Sequence, residues 1–160
     1  YYGRFYIKSN IFAPTKFEIK NHDEKNPNEI KNELGWADFP LGMKNILLSA
    51  KSRYNLPLYI LESGTAEKAE DDKLRQQLLI THLAETAAAM KDGADVRGYF
   101  HWSLIDNFEW AEGFDARFGL VAIDYQNNFA RKKRKSFETL RKIITQGISP
   151  ADYTAAAAAY

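Results

Sequence analysis

Cysteine is absent from this chain of 160 residues, which excludes disulfide bonds and metal sites built from thiolates. Net charge is nearly absent as well, because 22 lysine and arginine residues are balanced by 21 aspartate and glutamate residues. The formal charge of +1 gives no general attraction to nucleic acid or to an anionic membrane, so we expect neither as a partner.

Long apolar runs are also missing, and no stretch approaches the roughly 20 residues of a membrane-spanning helix. The first residues, YYGRFYIKSN, lack the charged-then-apolar order of a signal peptide. Together with the lack of cysteine, these absences favour a cytoplasmic protein. What is present suits a globular domain, since 45% hydrophobic and 27% charged residues suffice to bury one core.

Hydrophobic periodicity predicts alternating helices and strands over most of the chain. The predicted elements are a helix of about three turns near Pro40, a buried strand at 57–61, a long helix at 71–92, an aromatic strand at 96–102, a short strand or β-ribbon at 119–125 and a helix at 136–145. This order is a βαβα pattern, which indicates an α/β protein.

The remaining segments are expected to be less regular. Residues 1–19 predict a strand end followed by irregular chain with a short strand at 16–19, and residues 20–33 predict a solvated loop. The basic run at 131–135 has no interleaved aromatic residues, so a solvated face is favoured over a phosphate-binding patch. The low-complexity tail at 149–160 predicts a loosely ordered extension.

Glu62 stands at the carboxyl end of the predicted strand at 57–61. Proteins of the α/β class place their chemistry just beyond the carboxyl ends of parallel strands, so Glu62 is a candidate for catalysis. A helix cap or a surface acid accounts for the same spacing, and the pattern leaves these alternatives open. For His82, on one face of the long helix, a hydrogen-bonded packing role is favoured over that of a ligand.

The stretch from Gly98 to Tyr125 brings carboxylates and indoles together after the aromatic strand. An aromatic ring stacks on the apolar face of a pyranose while a neighbouring carboxylate accepts hydrogen bonds from its hydroxyls, so this composition is typical of sugar binding. A loop that closes over its own core has the same appearance. The acidic, amide and indole residues are Asp106, Asn107, Glu109, Trp110, Glu112 and Asp115.

These motifs, in this order and spacing, resemble the C-terminal part of glycoside hydrolase family 1, the β-glucosidase and β-glycosidase family. The resemblance covers residues 1 to about 148 and implies strands six to eight, with their helices, of a (β/α)8 TIM barrel. Its motifs are Tyr59-Ile60-Leu61-Glu62-Ser63-Gly64, Gly98-Tyr99-Phe100, Trp102-Ser103-Leu104, Asp106-Asn107-Phe108-Glu109-Trp110 and Arg117-Phe118-Gly119-Leu120-Val121.

The resemblance implies a role for seven residues. Glu62 matches the catalytic nucleophile, and Tyr2 matches the tyrosine that hydrogen-bonds its carboxylate. Trp102, Glu109 and Trp110 match the residues that hold the non-reducing sugar.

On the same basis, Phe118 matches an aromatic residue near the exocyclic carbon of the sugar, and Trp36 resembles the tryptophan that lines the aglycone side. The implied reaction is retaining hydrolysis by double displacement, which uses two carboxyl groups about 5 Å apart. We expect no cofactor and no metal.

The chain departs from the family pattern in two places. The family's acid/base glutamate belongs to an Asn-Glu-Pro motif that does not occur here, so the chain is expected to be inactive alone and to need the N-terminal portion of the barrel as partner. Where the family usually has Thr-Glu-Asn-Gly, this chain has Leu61-Glu62-Ser63-Gly64.

The expected substrate is an unphosphorylated β-linked glucoside or galactoside, free or in an oligosaccharide. Relatives that cleave 6-phosphoglycosides typically carry serine at the position of Glu109 and a lysine near Ala116, and an acid at 109 repels a phosphate dianion. The alternative is a non-catalytic sugar-binding or scaffold fragment of such a barrel.

Overall fold

The structure, a computed structural model, describes residues 5–10, 13–21, 30–158 and 160. Its first two elements are β1 (Phe5–Asn10) and β2 (Ala13–Asn21), which pair antiparallel with an irregularity in register between Ser9 and Asn10. The short strand predicted at 16–19 lies within β2. The prediction of irregular chain before it is wrong, because residues 5–10 and 13–21 form two paired strands. Tyr2 lies outside the described residues.

The centre of the described chain is a parallel strand–helix–strand unit. Strand β3 (Leu58–Ile60) pairs with β4 (Val96–Tyr99), and α2 (Lys73–Lys91) connects them. Helix α1 (Pro40–Tyr54) precedes β3. This confirms the predicted α/β order, although both strands are shorter than their apolar runs. The core of the unit contains Leu47, Ile60, Ala89 and Ala94.

The helix boundaries follow from proline and from left-handed backbone positions. Pro40 occupies the first turn of α1, where its missing N–H breaks no helical hydrogen bond. Asn55 ends the helix at φ 50°, and Gly93, at φ 92°, follows the end of α2. The stop predicted at Gly93 is confirmed.

After β4 the chain runs through a long loop into an antiparallel hairpin, β5 (Val121–Asp124) and β6 (Ala130–Lys133), and then α3 (Lys135–Gln146). The side chains of β6 are exposed, as predicted for a solvated basic face. Arg134, which follows β6 in the basic run at 131–135, differs from this prediction, because it is buried and pairs with Asp106.

The tail is a helix, α4 (Pro150–Ala157), that packs on α2, so the prediction of a loosely ordered extension is wrong for these residues. The Ser149 hydroxyl caps α4 by accepting from the Asp152 N–H at 3.1 Å. Tyr153 donates to Glu85 of α2 at 3.4 Å, and the small side chain of Ala156 is buried. Among the described residues, no helix has both the length and the apolar character required to span a membrane.

Candidate active site

The segments that follow β3 and β4 are joined side by side through their backbones. Phe100 N donates to Ile60 O at 2.9 Å, and Trp102 N donates to Ser63 O at 2.9 Å. Glu62, whose side chain is exposed, therefore lies beside the segment that leads to Trp102. This is the arrangement expected for two residues at the carboxyl ends of neighbouring parallel strands.

Gly64 allows this close approach. A β-carbon at position 64 would collide with the carbonyl oxygen of Trp102, which is backbone and cannot rotate away. Glycine is thus required by the packing of the two strand ends against each other.

Trp102 and Glu109 lie in contact. The indole Nε1 of Trp102 donates to Glu109 Oε2 at 3.4 Å, a long hydrogen bond that leaves the other carboxylate oxygen available. Glu109 is held by its own loop, because its N–H donates to the carbonyl of Gly113 at 2.6 Å. The structure therefore brings an indole and a carboxylate together at the end of the β4 segment, which is the combination needed to bind a sugar.

Phe118 belongs to a small buried cluster on which Trp102 packs. Its side chain is only 4% exposed and packs with Ala66 and Ala116, and the partly buried Trp102 packs against the same cluster. The ring centroids of Phe118 and Trp36 are 6.1 Å apart at 46°. Phe118 thus connects the two tryptophans and presents little surface of its own.

Trp110 lies apart from the buried part of this cluster. It begins a short 3-10 turn (Trp110–Glu112), and its side chain is 81% exposed. The loop around it is anchored by aromatic packing, with the rings of Phe108 and Phe114 5.4 Å apart and those of Phe114 and Tyr125 4.7 Å apart. The anchored loop presents the indole of Trp110 to solvent, next to Glu109.

Asp106, grouped with the sugar-binding residues by its sequence context, has a structural role instead. Its side chain is buried, and its carboxylate accepts from both terminal nitrogens of Arg134 at 2.9 and 3.0 Å. It also accepts from the backbone N–H groups of Gly119 at 2.9 Å and Ile123 at 3.3 Å. With these partners it joins the long loop to β5 and to the start of α3.

A hydrogen-bond chain that sequence reasoning missed ends at Ser63. The Ser63 hydroxyl lies 3.3 Å from Nδ1 of His82, and Nε2 of His82 lies 2.9 Å from Oδ1 of Asp38. His82 is therefore a hydrogen-bonded packing residue, as predicted. Spacings of 19 and 44 residues gave no local signal for its two partners.

Two further titratable residues near the strand ends are kept neutral at pH 7. Burial, with the charge of Arg75 and the proximity of His82, lowers the pKa of His101 to about 4. Burial raises the pKa of Tyr99 to about 12. In the part of the chain that the structure describes, no three histidine, aspartate or glutamate side chains converge to hold a metal ion.

Comparisons with known proteins agree with this geometry. The sequence profile of glycosyl hydrolase family 1 matches residues 1–148. A β-galactosidase of Sulfolobus acidocaldarius is 47% identical over 94 residues, covering 59% of this chain and 19% of that protein. Beta-glucosidase 16 of Arabidopsis thaliana is 42% identical over 159 residues, covering 90% of this chain and 31% of that protein.

A solved structure of the β-glucosidase from Thermotoga maritima, in complex with galacto-hydroximolactam, superposes with a TM-score of 0.79 at 33% identity. The match covers 93% of this chain and 34% of that one, so the chain spans about a third or less of the length of these relatives. Proteins of this family are (β/α)8 barrels, and the described strand–helix–strand unit is a part of such a barrel. The chain belongs to glycosyl hydrolase family 1.

Proposed function

We propose that this chain is the nucleophile-bearing part of a retaining β-glycosidase that removes a terminal, non-reducing β-linked glucose or galactose. The observation that carries the proposal is the backbone pairing of the segment that contains Glu62 with the segment that contains Trp102, whose indole contacts Glu109. An exposed carboxylate on the first segment and an indole–carboxylate pair on the second supply the two kinds of group that the reaction uses, an attacking oxygen and a surface that can hold a pyranose ring.

The reaction proceeds in two displacements. Glu62 attacks the anomeric carbon while a second carboxylic acid protonates the departing glycosidic oxygen, which gives a covalent glycosyl-enzyme. The second group, now a carboxylate, takes a proton from water, and the water oxygen displaces Glu62 with net retention of configuration. The carboxylate of Glu109 and the indoles of Trp102 and Trp110 hold the sugar during both steps, and Trp36 lines the aglycone side. For Tyr2, which lies outside the described residues, the family resemblance implies a hydrogen bond to the nucleophile.

The second carboxyl group has to come from the N-terminal portion of the barrel, because the chain has no Asn-Glu-Pro motif. The surface around β3 and β4 supports such a partner. Tyr59, Leu61, Phe100 and Leu104 are each more than half exposed on these two segments, and a soluble protein rarely leaves so many large apolar side chains together in water. Strands from the N-terminal portion of the barrel would cover these four side chains.

An unphosphorylated sugar is the favoured substrate. The carboxylate of Glu109 would repel a phosphate dianion, and position 116 is a buried alanine where a phosphate site would need a cation. The relatives include a named β-galactosidase and a named β-glucosidase, so both sugars are retained in the proposal.

Trapping the glycosyl-enzyme tests the proposal directly. We expect the isolated 160-residue chain to take up no label from an activated 2-deoxy-2-fluoro-β-glucoside, because it lacks half of the sugar site. It should also show no turnover of an aryl β-glucoside, because it lacks the acid/base as well. After addition of the N-terminal barrel portion, we expect one equivalent of label on Glu62. Intact mass and peptide mapping measure both results.

Three outcomes would contradict the proposal. Turnover by the isolated chain at normal enzymatic rates would show that the chain needs no partner. A label on another residue would show that Glu62 is not the nucleophile. No label in the assembled barrel, combined with retained binding of the sugar, would favour the non-catalytic scaffold.

A further inference from the structure

A continuous hydrogen-bond chain ends at the residue next to Glu62 and draws its members from three separate segments. Asp38 lies just before α1, His82 lies in the middle of α2, and Ser63 follows β3. Ser63 is 8% exposed, and the side chains of His82 and Asp38 are 15% and 5% exposed. Because these contacts are largely withdrawn from water, breaking one of them leaves a buried polar group without a partner, which is costly.

The carboxylate of Asp38 fixes the direction of its hydrogen bond with His82. The carboxylate of Asp38 can only accept, so the proton of a neutral His82 ring sits on Nε2 and is donated to Oδ1. The lone pair left on Nδ1 then accepts from the Ser63 hydroxyl. In the neutral form of the ring, the order of donation is therefore Ser63 to His82 to Asp38.

Both ends of this chain are secured. The backbone carbonyl of Ser63 accepts from Trp102 N at 2.9 Å, so its main chain and its side chain are both held. At the other end, the Tyr160 hydroxyl donates to Oδ2 of Asp38. Burial and the charge of Asp38 raise the pKa of Tyr160, which keeps that phenol protonated as a donor.

We propose that Asp38, His82 and Ser63 are positioning residues that hold the backbone on the carboxyl side of Glu62 and thereby aim its carboxylate at the anomeric carbon. This inference rests on the proposed function. Glu62 lies between β3 and an anchored Ser63, so fixing residue 63 limits the rotation of the peptide that carries the nucleophile. A Ser–His–Asp set also occurs in hydrolases that use the serine as nucleophile, but here the hydroxyl is buried while Glu62 is exposed.

Trapping kinetics in the assembled barrel separate positioning from binding. Ser63→Ala removes one oxygen atom and should slow the first-order inactivation step by about 10- to 100-fold, because small errors in the aim of a nucleophile are costly. The dissociation constant of the fluorinated glucoside should change by less than about twofold, because the sugar contacts are untouched. Ser63→Thr keeps the hydroxyl and should restore most of the rate.

His82→Leu should slow inactivation as much as Ser63→Ala does. The variant that combines both replacements should be inactivated no more slowly than either single variant, because the two residues act as one unit. Thr145→Val is the matched control. Thr145 donates to the carbonyl of Arg141 within α3 and has no contact with the hydrogen-bond chain, so its loss should leave the inactivation rate unchanged. The ring ¹⁵N shifts of His82 report the hydrogen-bond chain independently of sugar chemistry and should change on Ser63→Ala.

The outcomes separate this inference from the proposed function. If the unaltered barrel is labelled and Ser63→Ala and His82→Leu react at its rate, the positioning role is overturned and the proposed function stands. If the unaltered barrel is not labelled, the proposed function and the positioning role are both overturned. Covalent labelling of Ser63 by a fluorophosphonate would identify the hydroxyl as a nucleophile and would also overturn the positioning role.

Discussion

Replacing Glu62 with glutamine in the assembled barrel is expected to abolish labelling by the fluorinated glucoside and to lower turnover of an aryl β-glucoside by at least about 10³-fold. An amide has the size of the carboxylate but is far too weak a nucleophile to form the glycosyl-enzyme. Steady-state kinetics measure the loss, and intact mass measures the missing adduct. The exposed position of Glu62 beyond β3 makes a change in folding a poor explanation for such a loss.

The same variant distinguishes an enzyme from a sugar-binding scaffold. Binding of a substrate analogue, measured by calorimetry, should persist in Glu62→Gln, because Trp102, Glu109 and Trp110 remain. Glu138→Gln, a surface acid on α3 that pairs with Arg141, is the control and should keep full turnover. Normal turnover by Glu62→Gln would show that another group is the nucleophile, and the assignment of Glu62 would then be wrong.

The helices and the parallel strands could be predicted from sequence because their signals are local. The period of apolar residues with Pro40 predicts the start of α1, and with Gly93 it predicts α2 to within two residues at each end. Helix α1 is longer than the three turns predicted. Helix α4 was missed because its alanine-rich sequence has little hydrophobic contrast. Its order comes from the Ser149 cap and from contacts with α2, such as that between Tyr153 and Glu85, which lie 68 positions apart.

In the candidate site, too, the features that depend on neighbouring residues could be predicted, and those that depend on contacts between distant segments could not. The proximity of the Glu62 segment to Trp102 could be anticipated, because parallel strands place their carboxyl ends at one edge. The contacts of His82 with Ser63 and Asp38 could not, since they depend on how α2 packs against two loops. Asp106 was grouped with the sugar ligands because a carboxylate among aromatic residues has the same sequence appearance whether it faces a sugar or a buried arginine.

Replacing Asp106 with asparagine is expected to lower the free energy of unfolding by about 3–5 kcal/mol. Asp106 is 3% exposed, and the charge it provides compensates the buried guanidinium of Arg134. The amide keeps the shape but removes the negative charge and offers one acceptor oxygen in place of two, so Arg134 is left without its counter-ion. The midpoint of urea unfolding measures the loss, provided that the dependence of the unfolding free energy on urea concentration is the same in both proteins.

A double replacement separates the charge from the packing at this position. If the cost comes from an uncompensated Arg134, Asp106→Leu combined with Arg134→Leu should be less destabilised than Asp106→Asn alone, because the buried guanidinium is then removed together with its carboxylate. Arg117, which lies 3.6 Å from Asp106, remains in both variants and is partly exposed to water. The exposed acid Asp115 lies in the same loop, and Asp115→Asn should shift stability by no more than about 0.5 kcal/mol. An Asp106→Asn variant as stable as the unaltered protein would show that the pair with Arg134 carries no net stabilisation. The loop that presents Glu109 and Trp110 would then depend on its aromatic anchors, Phe108 and Phe114, rather than on this ion pair.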